Sequence, residues 1–275
     1  MSNKQKVFGI IGNPVEHSKS PKMHAFFASV TDEDLVYNKY LVLPDELETM
    51  IGRIRKEGIC GVNVTAPYKS DVIKFLDEVS EDVKLCSSCN TVVNENGKLK
   101  GYTTDAQGIY MSMLKAGVDL KNKDILLFGA GGVTKPIILE FIKKGAKSIT
   151  LINRTKEKAL SIKEDIYAIK GFNIETEITK EHYDIVVNLT SAGMHGQENV
   201  LPYNDLSFID KNTLCVDLIY NPEETLFLKT AKELGAKILN GKGMLIGQGM
   251  ISYELFTGKK LPESVYDEVL KVIWE

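Results

Sequence analysis

The protein has 275 residues, 43% of them hydrophobic and 26% charged, and a formal net charge of −3 at pH 7. Charges of both signs are spread along the chain without a basic block, which argues against a nucleic-acid partner held through its phosphates. No apolar run reaches the roughly 18 to 20 residues that cross a bilayer, and the N-terminus lacks the pattern of a signal peptide, so we expect a soluble, cytoplasmic protein.

The first half of the chain alternates predicted strands and helices. Its strands are predicted at 6–12, 35–42 and 59–65, with a hairpin at 91–102 whose turn is Asn96-Gly97. Its helices are predicted at 21–30, 45–58, 70–79 and 106–116. This half therefore predicts an α/β unit that also contains an antiparallel hairpin.

The second half has the same alternation, with strands that are apolar on both faces. Its strands are predicted within 124–132, a run that ends in glycines, and at 148–154, 183–190, 213–220 and 236–241. Its helices are predicted at 133–145, 156–167, 225–235, 244–257 and 262–275. Near-continuous apolar strands separated by helices indicate a parallel sheet that is covered on both sides.

A glycine-rich turn follows the first strand of the second half, with glycines at 129, 131 and 132. A turn between a strand and a helix is where the pyrophosphate of a dinucleotide binds to a helix N-terminus. Thr134 occupies the third glycine position of the usual G-x-G-x-x-G pattern, so the motif is incomplete. The strand, helix and next strand around it favour nucleotide binding over a plain tight turn.

The end of the next strand predicts which cofactor this turn would bind. NAD sites usually place Asp or Glu there to bind the ribose 2′-hydroxyl, but this chain has Asn153-Arg154-Thr155, followed by Lys158. The guanidinium of Arg154 and the charge of Lys158 suit a 2′-phosphate. We therefore predict NADP(H) over NAD(H), the alternative being that Arg154 is a solvated surface charge.

Ser18 and Ser20 precede a predicted helix that has Pro21 in its first turn. The residue before a proline is usually extended, and residues i and i+2 of an extended segment point to the same side. The two hydroxyls would then face one spot near the positive end of the helix, which suits a carboxylate. The alternative is that Ser20 only caps the helix.

Other polar residues stand where strands end or helices begin. Asp105 opens a predicted helix and could simply cap it, and Lys69 alone would most often be a surface lysine. Cys86 and Cys89 form C-x-x-C without further metal-ligand spacing, so no metal site is predicted. Glycines at 241, 243, 247 and 249 surround Gln248 and predict close approach to a ligand or another backbone.

These segments together resemble the shikimate dehydrogenase family over nearly the whole chain. The similar segments are GNPVEHSKSPKMH, NVTAPYK, CNTVV, GKLKGYTTDAQG, FGAGG, NRT, NLTSAGM, DLIYNP and NGKGMLIGQG. The resemblance implies a two-domain α/β fold, with a mixed-sheet substrate domain at 1–104 plus 243–275 and a Rossmann-type NADP domain with a parallel sheet at 105–242. It also implies NADPH-dependent reduction of 3-dehydroshikimate to shikimate, in the pathway to chorismate and the aromatic amino acids.

Site residues follow from the same resemblance, position by position. It implies catalysis by Lys69 and Asp105, with Lys69 as general acid in reduction and base in oxidation. It implies substrate binding by Ser18, Ser20, Thr65, Asn90, Asp105, Tyr220 and Gln248. It implies cofactor binding by Gly129, Ala130, Gly131, Gly132, Asn153, Arg154, Thr155, Lys158, Gly241 and Met244.

The chain departs from the family pattern at Ala25, Cys89, Thr103, Lys135 and Tyr253-Glu254, none of which is in the predicted catalytic set. Two alternatives stay open. One is a quinate/shikimate dehydrogenase with relaxed substrate or cofactor use, and the other is a non-catalytic relative that senses NADP or a metabolite. The family includes monomers and homodimers, so the resemblance leaves the oligomeric state open.

Overall fold

The computed structural model describes residues 5–274, so the predictions made for residues 1–4 and 275 lie outside the described residues. The chain divides into two compact units, Met1–Gly108 with Ile246–Glu275 and Ile109–Leu245. Among the described residues, no helix is long and apolar enough to span a membrane.

Eleven strands are found in the described part of the chain. They are β1 (Lys6–Gly12), β2 (Leu35–Leu41), β3 (Ile59–Val64), β4 (Glu78–Val79), β5 (Thr91–Glu95), β6 (Lys98–Tyr102), β7 (Asp124–Phe128), β8 (Ser148–Ile152), β9 (Ile185–Asn188), β10 (Leu214–Asp217) and β11 (Lys237–Leu239).

Nine α-helices lie between these strands or follow them within residues 5–274. They are α1 (Ser20–Thr31), α2 (Leu47–Lys56), α3 (Glu81–Cys86), α4 (Asp105–Lys115), α5 (Thr134–Lys143), α6 (Lys156–Lys170), α7 (Leu226–Glu233), α8 (Lys242–Thr257) and α9 (Val265–Trp274). The boundaries between the two units fall within α4 and α8.

The first unit contains a six-stranded mixed sheet in the order β2-β1-β3-β5-β6-β4. Strand β1 pairs in parallel with both β2 and β3, while β5 pairs antiparallel with β3 and β6. The hairpin turn has Asn96 at φ 55° and Gly97 at φ 93°, as the Asn-Gly signal predicts. This arrangement brings the C-terminal end of β3 beside the N-terminal end of β5, where Asn63 pairs with Thr91.

The second unit contains a five-stranded sheet in the order β11-β10-β9-β7-β8, and every pairing in it is parallel. Its central strands are buried almost completely, as continuous apolar sequence predicts for a sheet covered on both faces. The predicted α/β fold class, with one mixed and one parallel sheet, is confirmed.

One predicted element is wrong. Residues 70–79 were expected to form a helix, but only a short 3-10 helix, Asp71–Phe75, is present before β4. The Asp77 N–H donates to the carbonyl of Leu99 at 3.0 Å, and its carboxylate accepts from the Leu99 N–H at 2.7 Å. Pairing with β6 therefore replaces the last helical turn, because tertiary hydrogen bonds override local helix propensity.

Candidate active site

Lys69 lies five residues beyond β3, in a loop that is held at several points. The buried Tyr68 hydroxyl donates to the carbonyl of Val42 at 2.7 Å, and the Lys69 carbonyl accepts from the Cys89 N–H at 2.7 Å. These bonds fix the main chain on both sides of the lysine. Its side chain is 26% exposed, which leaves the ammonium accessible to a ligand.

Lys69 Nζ donates to Asp105 Oδ2 at 2.7 Å. Asp105 opens α4, and its side chain is only 8% exposed. Its other oxygen, Oδ1, accepts from the Asn90 amide at 2.9 Å. Both carboxylate oxygens therefore have side-chain donors, so Asp105 orients a lysine and an amide in addition to starting a helix.

Asn90 and Thr104 hold each other beside this pair. Asn90 Oδ1 accepts from the Thr104 N–H at 2.9 Å, and Asn90 Nδ2 donates to Thr104 Oγ1 at 3.0 Å. Thr104 also donates to the carbonyl of Gln248 in α8, at 3.3 Å. Thr104 received no role from the sequence, because a threonine beside an acidic helix start has no distinctive spacing.

Thr65 follows β3 directly and is half-buried. Its N–H donates to the carbonyl of Ile11 at 2.9 Å. A Cβ built at Gly12 would lie 2.2 Å from Thr65 Cγ2, so only glycine allows this approach. Thr65 is thus fixed at the end of the strand, four residues before Lys69.

The two predicted serines are close together, but the local geometry differs from the expectation. Ser20 is the first residue of α1, and Lys19 before it already has helical φ and ψ, so the expected extended segment is absent. Ser20 does not cap the helix either, since no side-chain cap bond is present there. Instead, Ser18 Oγ accepts from the Ser20 N–H at 3.2 Å, and the Ser20 side chain is buried.

The glycines around Gln248 approach other backbone segments, one of the two outcomes that the sequence predicted. A Cβ at Gly247 would lie 2.8 Å from the carbonyl oxygen of Gly108, and one at Gly241 would lie 2.0 Å from that of Leu218. Only glycine permits such contacts. Gln248 is buried in α8, and its carbonyl receives the Thr104 hydroxyl.

The glycine turn of the second unit is closed by its own residues. Gly129 has φ +109°, and a Cβ there would lie 3.1 Å from the carbonyl carbon of Leu189. Thr134 Oγ1 accepts from the Gly131 N–H at 3.0 Å and donates to the Gly129 carbonyl at 2.8 Å. Thr134 therefore closes the turn at the position where the usual motif has its third glycine.

The outer side of this turn is open. Gly131 and Gly132 are exposed, and no heavy atom lies within 4 Å of a Cβ built at either. The Ala130 N–H donates to Asn153 Oδ1 at 3.0 Å, which ties the turn to the end of β8. The open space at the start of α5 fits a pyrophosphate at a helix N-terminus.

Arg154, Thr155 and Lys158 are exposed beside Asn153, whose amide donates to the Thr155 carbonyl at 2.8 Å. Among residues 5–274, the side chains of Arg154 and Lys158 have no ion-pair or hydrogen-bond partner. Two cations close to the glycine turn can hold a phosphate, and no acid occupies positions 153–155 at the end of β8, although Glu157 is exposed in the first turn of α6. These residues fit NADP(H).

Three further predicted residues lie after β10 and at the start of α8. Tyr220 is half-buried, and burial raises the pKa of its phenol. Gly241 donates from its N–H to the carbonyl of Ile219 at 3.0 Å, and Met244 is half-buried in the first turn of α8. The structure thus brings Gly241 and Tyr220 to adjoining segments of the second unit.

The C-x-x-C pair has the packing expected of small apolar residues. The thiols of Cys86 and Cys89 are buried, and each contacts a main-chain carbonyl two residues onward. Burial raises the pKa of Cys89 to about 12, so its thiol stays protonated and unreactive. No group of three or more His, Cys, Asp or Glu side chains within the described residues is arranged to hold a metal ion.

Three family models match the chain. The shikimate dehydrogenase substrate binding domain matches residues 10–92, the shikimate/quinate 5-dehydrogenase model matches 112–220, and the shikimate 5′-dehydrogenase C-terminal domain matches 241–271. Together they cover the segments that carry the residues described above.

Individual proteins are similar over nearly their full length. The shikimate dehydrogenase (NADP(+)) of Methanococcus aeolicus is 39% identical, with 94% of this chain and 95% of the relative covered. That of Caldanaerobacter subterraneus is 38% identical, with 96% of each covered. The crystal structure of the Thermus thermophilus shikimate 5-dehydrogenase, in complex with NADP(H) and shikimate, has a TM-score of 0.88 at 30% identity and covers 98% of this chain and 100% of that one.

Proposed function

The chain belongs to the shikimate dehydrogenase family, and we propose that it catalyses the reversible NADPH-dependent reduction of 3-dehydroshikimate to shikimate. It is an NADP-dependent oxidoreductase. The observation that carries the proposal is the arrangement in which Asp105 accepts from Lys69 on one oxygen and from Asn90 on the other. A silent, ligand-sensing relative would not need this arrangement.

Lys69 is the proton donor in this proposal. Reduction of a ketone needs a hydride at carbon and a proton at oxygen, and the bound nicotinamide supplies the hydride. A lysine ammonium can donate the proton, and its charge stabilises the developing alkoxide. In the reverse direction the amine takes the proton back from the hydroxyl. Asp105, 2.7 Å from Lys69 Nζ, orients the ammonium.

The remaining substrate contacts are assigned by chemistry. The hydroxyls of Ser18 and Ser20 lie near the start of α1 and suit the substrate carboxylate, since a helix N-terminus favours an anion. We assign the ring hydroxyls to Thr65, Asn90, Asp105, Gln248 and Tyr220. We assign the carboxylate to the first of the two units and the cofactor to the second, with the substrate domain at 1–104 plus 243–275.

The cofactor assignment rests on the open turn and the free cations. The main chain of 129–132 would hold the pyrophosphate, Arg154 and Lys158 the 2′-phosphate, and Asn153 and Thr155 the adjoining ribose. We assign Gly241 and Met244 to the nicotinamide end. The main-chain N–H groups and the two cations among these residues are donors that suit phosphate groups.

We further propose a cytoplasmic enzyme that acts on small molecules alone, as a monomer or a homodimer. The balanced net charge of −3 supports the absence of a nucleic-acid partner. Sedimentation of the purified protein separates the two oligomeric states.

A spectrophotometric screen of shikimate and quinate, each with NADP and with NAD, tests the function. We expect the highest kcat/KM for shikimate with NADP. Faster oxidation of quinate with NAD would overturn the assignment in favour of a quinate dehydrogenase. NADP binding without turnover of either substrate would overturn it in favour of a sensing protein.

A further inference from the structure

A set of buried polar side chains lies behind the Lys69–Asp105 pair. It consists of Asn63 in β3, Asn90 before β5, Thr91 in β5, Thr104 before α4 and Ser252 in α8, and we call it the polar network. All five are at least nine-tenths buried, and Thr91 and Ser252 are completely so. Buried polar groups without a ligand role usually satisfy main-chain atoms, but these five bond mainly to one another.

Asn63 begins the polar network, and its orientation is fixed. Its Oδ1 accepts from the Tyr37 hydroxyl at 2.7 Å, and its amide nitrogen faces the main-chain carbonyl of Asn90 at 3.2 Å, which only a donor can do. That nitrogen donates to Ser252 Oγ at 2.9 Å and also lies 3.1 Å from Thr91 Oγ1.

The hydrogen bonds of the polar network then have one consistent order of donor and acceptor, from Asn63 to Asp105. Because Ser252 accepts from Asn63, its single hydroxyl hydrogen is free for Thr91 Oγ1, 2.8 Å away. Thr91 in turn donates to Asn90 Oδ1 at 3.2 Å. The amide hydrogens of Asn90 are thereby directed to Thr104 Oγ1 and to the Asp105 carboxylate.

The orientation of the Asn90 side-chain amide matters. If the amide were rotated by 180°, its Oδ1 would face the Asp105 carboxylate, and two acceptors would then repel each other. Two donors prevent that reversal, the Thr104 N–H at 2.9 Å and the Thr91 hydroxyl. The first belongs to the main chain, and the second is oriented by Ser252. Ser252 also lies 3.3 Å from Thr104 Oγ1, so it joins β3, β5 and the start of α4 at one point.

We propose that Ser252 is a positioning residue that keeps the Asn90 amide directed at Asp105, and through it the carboxylate directed at Lys69. Its side chain is completely buried. It lies one helical turn after Gln248, on the same face of α8, and so also fixes the part of that helix assigned to the substrate. The inference rests on the proposed dehydrogenase function.

The test is a double-mutant cycle of Ser252→Ala and Asn90→Ala, assayed with shikimate and NADP. Because the Thr104 N–H still holds Asn90, we expect S252A to lower kcat only about three- to tenfold, the effect of one lost hydrogen bond, with a smaller change in the KM for shikimate. In the N90A background the same substitution should have no further effect on kcat. A merely structural serine would give independent effects, so the two losses would multiply.

Thr257→Ala is the matched control on the same helix. Its hydroxyl donates to the carbonyl of Tyr253 at 2.8 Å, outside the polar network, so T257A should lower thermal stability while kcat stays at the wild-type value. If S252A does not fold, Thr91→Val removes the next hydroxyl of the network and should show the same loss of kcat and the same absence of a further loss with N90A.

The outcomes are distinguishable. An active wild-type protein with unchanged kcat in S252A, or with losses that multiply in the double mutant, overturns the positioning role alone. A wild-type protein that binds NADP but turns over neither shikimate nor quinate overturns the proposed function and the positioning role with it. A loss of kcat in S252A that disappears in the N90A background supports both.

Discussion

The candidate site residues of the first unit bond to one another, whereas several of those of the second unit are exposed. In the first, Lys69, Asp105 and Asn90 are bonded to one another and largely buried. In the second, the outer glycines of the turn face open space, and Arg154 has no partner among the described residues. The groups that we propose to move a proton are therefore preorganised by the protein, whereas the groups that we propose to bind the cofactor phosphates keep their donors free.

The largest effect is expected from Lys69→Ala, which removes the proposed proton donor and leaves Asp105 without its cation. Turnover of shikimate should fall roughly 100-fold or more, because a positioned general acid contributes at least that much. Steady-state kinetics with NADP measures it. Lys98→Ala is the control, since Lys98 also pairs with an acid, Glu78, but is 57% exposed. Near-normal turnover in K69A would remove the lysine from the mechanism.

A somewhat smaller effect is expected from Arg154→Asp in the open region of the second unit. A partner-free guanidinium becomes an acid that repels a 2′-phosphate, so the KM for NADPH should rise roughly 10- to 100-fold while that for NADH changes less. The control is Lys170→Asp, which makes the same change of charge at the other end of α6. An equal rise of the KM for NADPH and for NADH would mean that Arg154 does not bind the 2′-phosphate.

Two glycines of the same turn, Gly129 and Gly131, separate an effect on stability from an effect on cofactor binding. Gly129 has φ +109° and no room for a Cβ, so Gly129→Ala should lower the free energy of unfolding by about 1 to 3 kcal/mol. Gly131→Ala enters open space and should leave the stability within about 0.5 kcal/mol, yet raise the KM for NADPH. Denaturant titrations and kinetics of both variants measure this. A normal NADPH KM in G131A would show that the open space is not used by the cofactor.

Much of the fold could be predicted because strong local signals agree with the tertiary structure. Apolar strands such as β7 and β9 have no polar face, which requires cover on both sides. The signal failed at residues 70–79, where Asp77 bonds to Leu99. A pairing partner 22 residues away along the sequence is invisible to helix periodicity, so the strand β4 could not be foreseen.

The candidate site also contains residues that the sequence could predict and residues that it could not. Lys69 and Asp105 were selected by resemblance to a family, and local patterns alone would have assigned a surface lysine and a helix cap. Ser252 could not be found, because its partners Asn63 and Thr91 are 189 and 161 positions away. Buried hydrogen-bonded groups of this kind are defined by three-dimensional contact, and a single serine in an apolar helix carries no sequence signal.

The smallest expected effect is on the pH dependence of stability, and it comes from His24 in the first unit. His24 lies next to Tyr37, whose hydroxyl bonds to Asn63. His24 is buried, and its ring stacks on Tyr37 at 4.3 Å. Burial lowers its pKa from 6.5 to about 3. The unfolded chain therefore takes up a proton below pH 6.5 that the folded protein refuses until about pH 3, so stability present above pH 6.5 is lost as the pH falls through that window.

His24→Phe keeps a ring in the stack and removes this titration. Between about pH 8 and about pH 6, the wild type should lose about 0.8 kcal/mol more of its free energy of unfolding than H24F, by proton linkage. Urea titrations followed by the fluorescence of Trp274, the only tryptophan and part of the same unit, measure the difference. His17→Gln, at an exposed position, should retain the wild-type pH dependence. If H24F lost stability as steeply as the wild type, His24 would be charged within the fold, and the packing around Tyr37 and Asn63 would be less closed to water than the contacts of the first unit indicate.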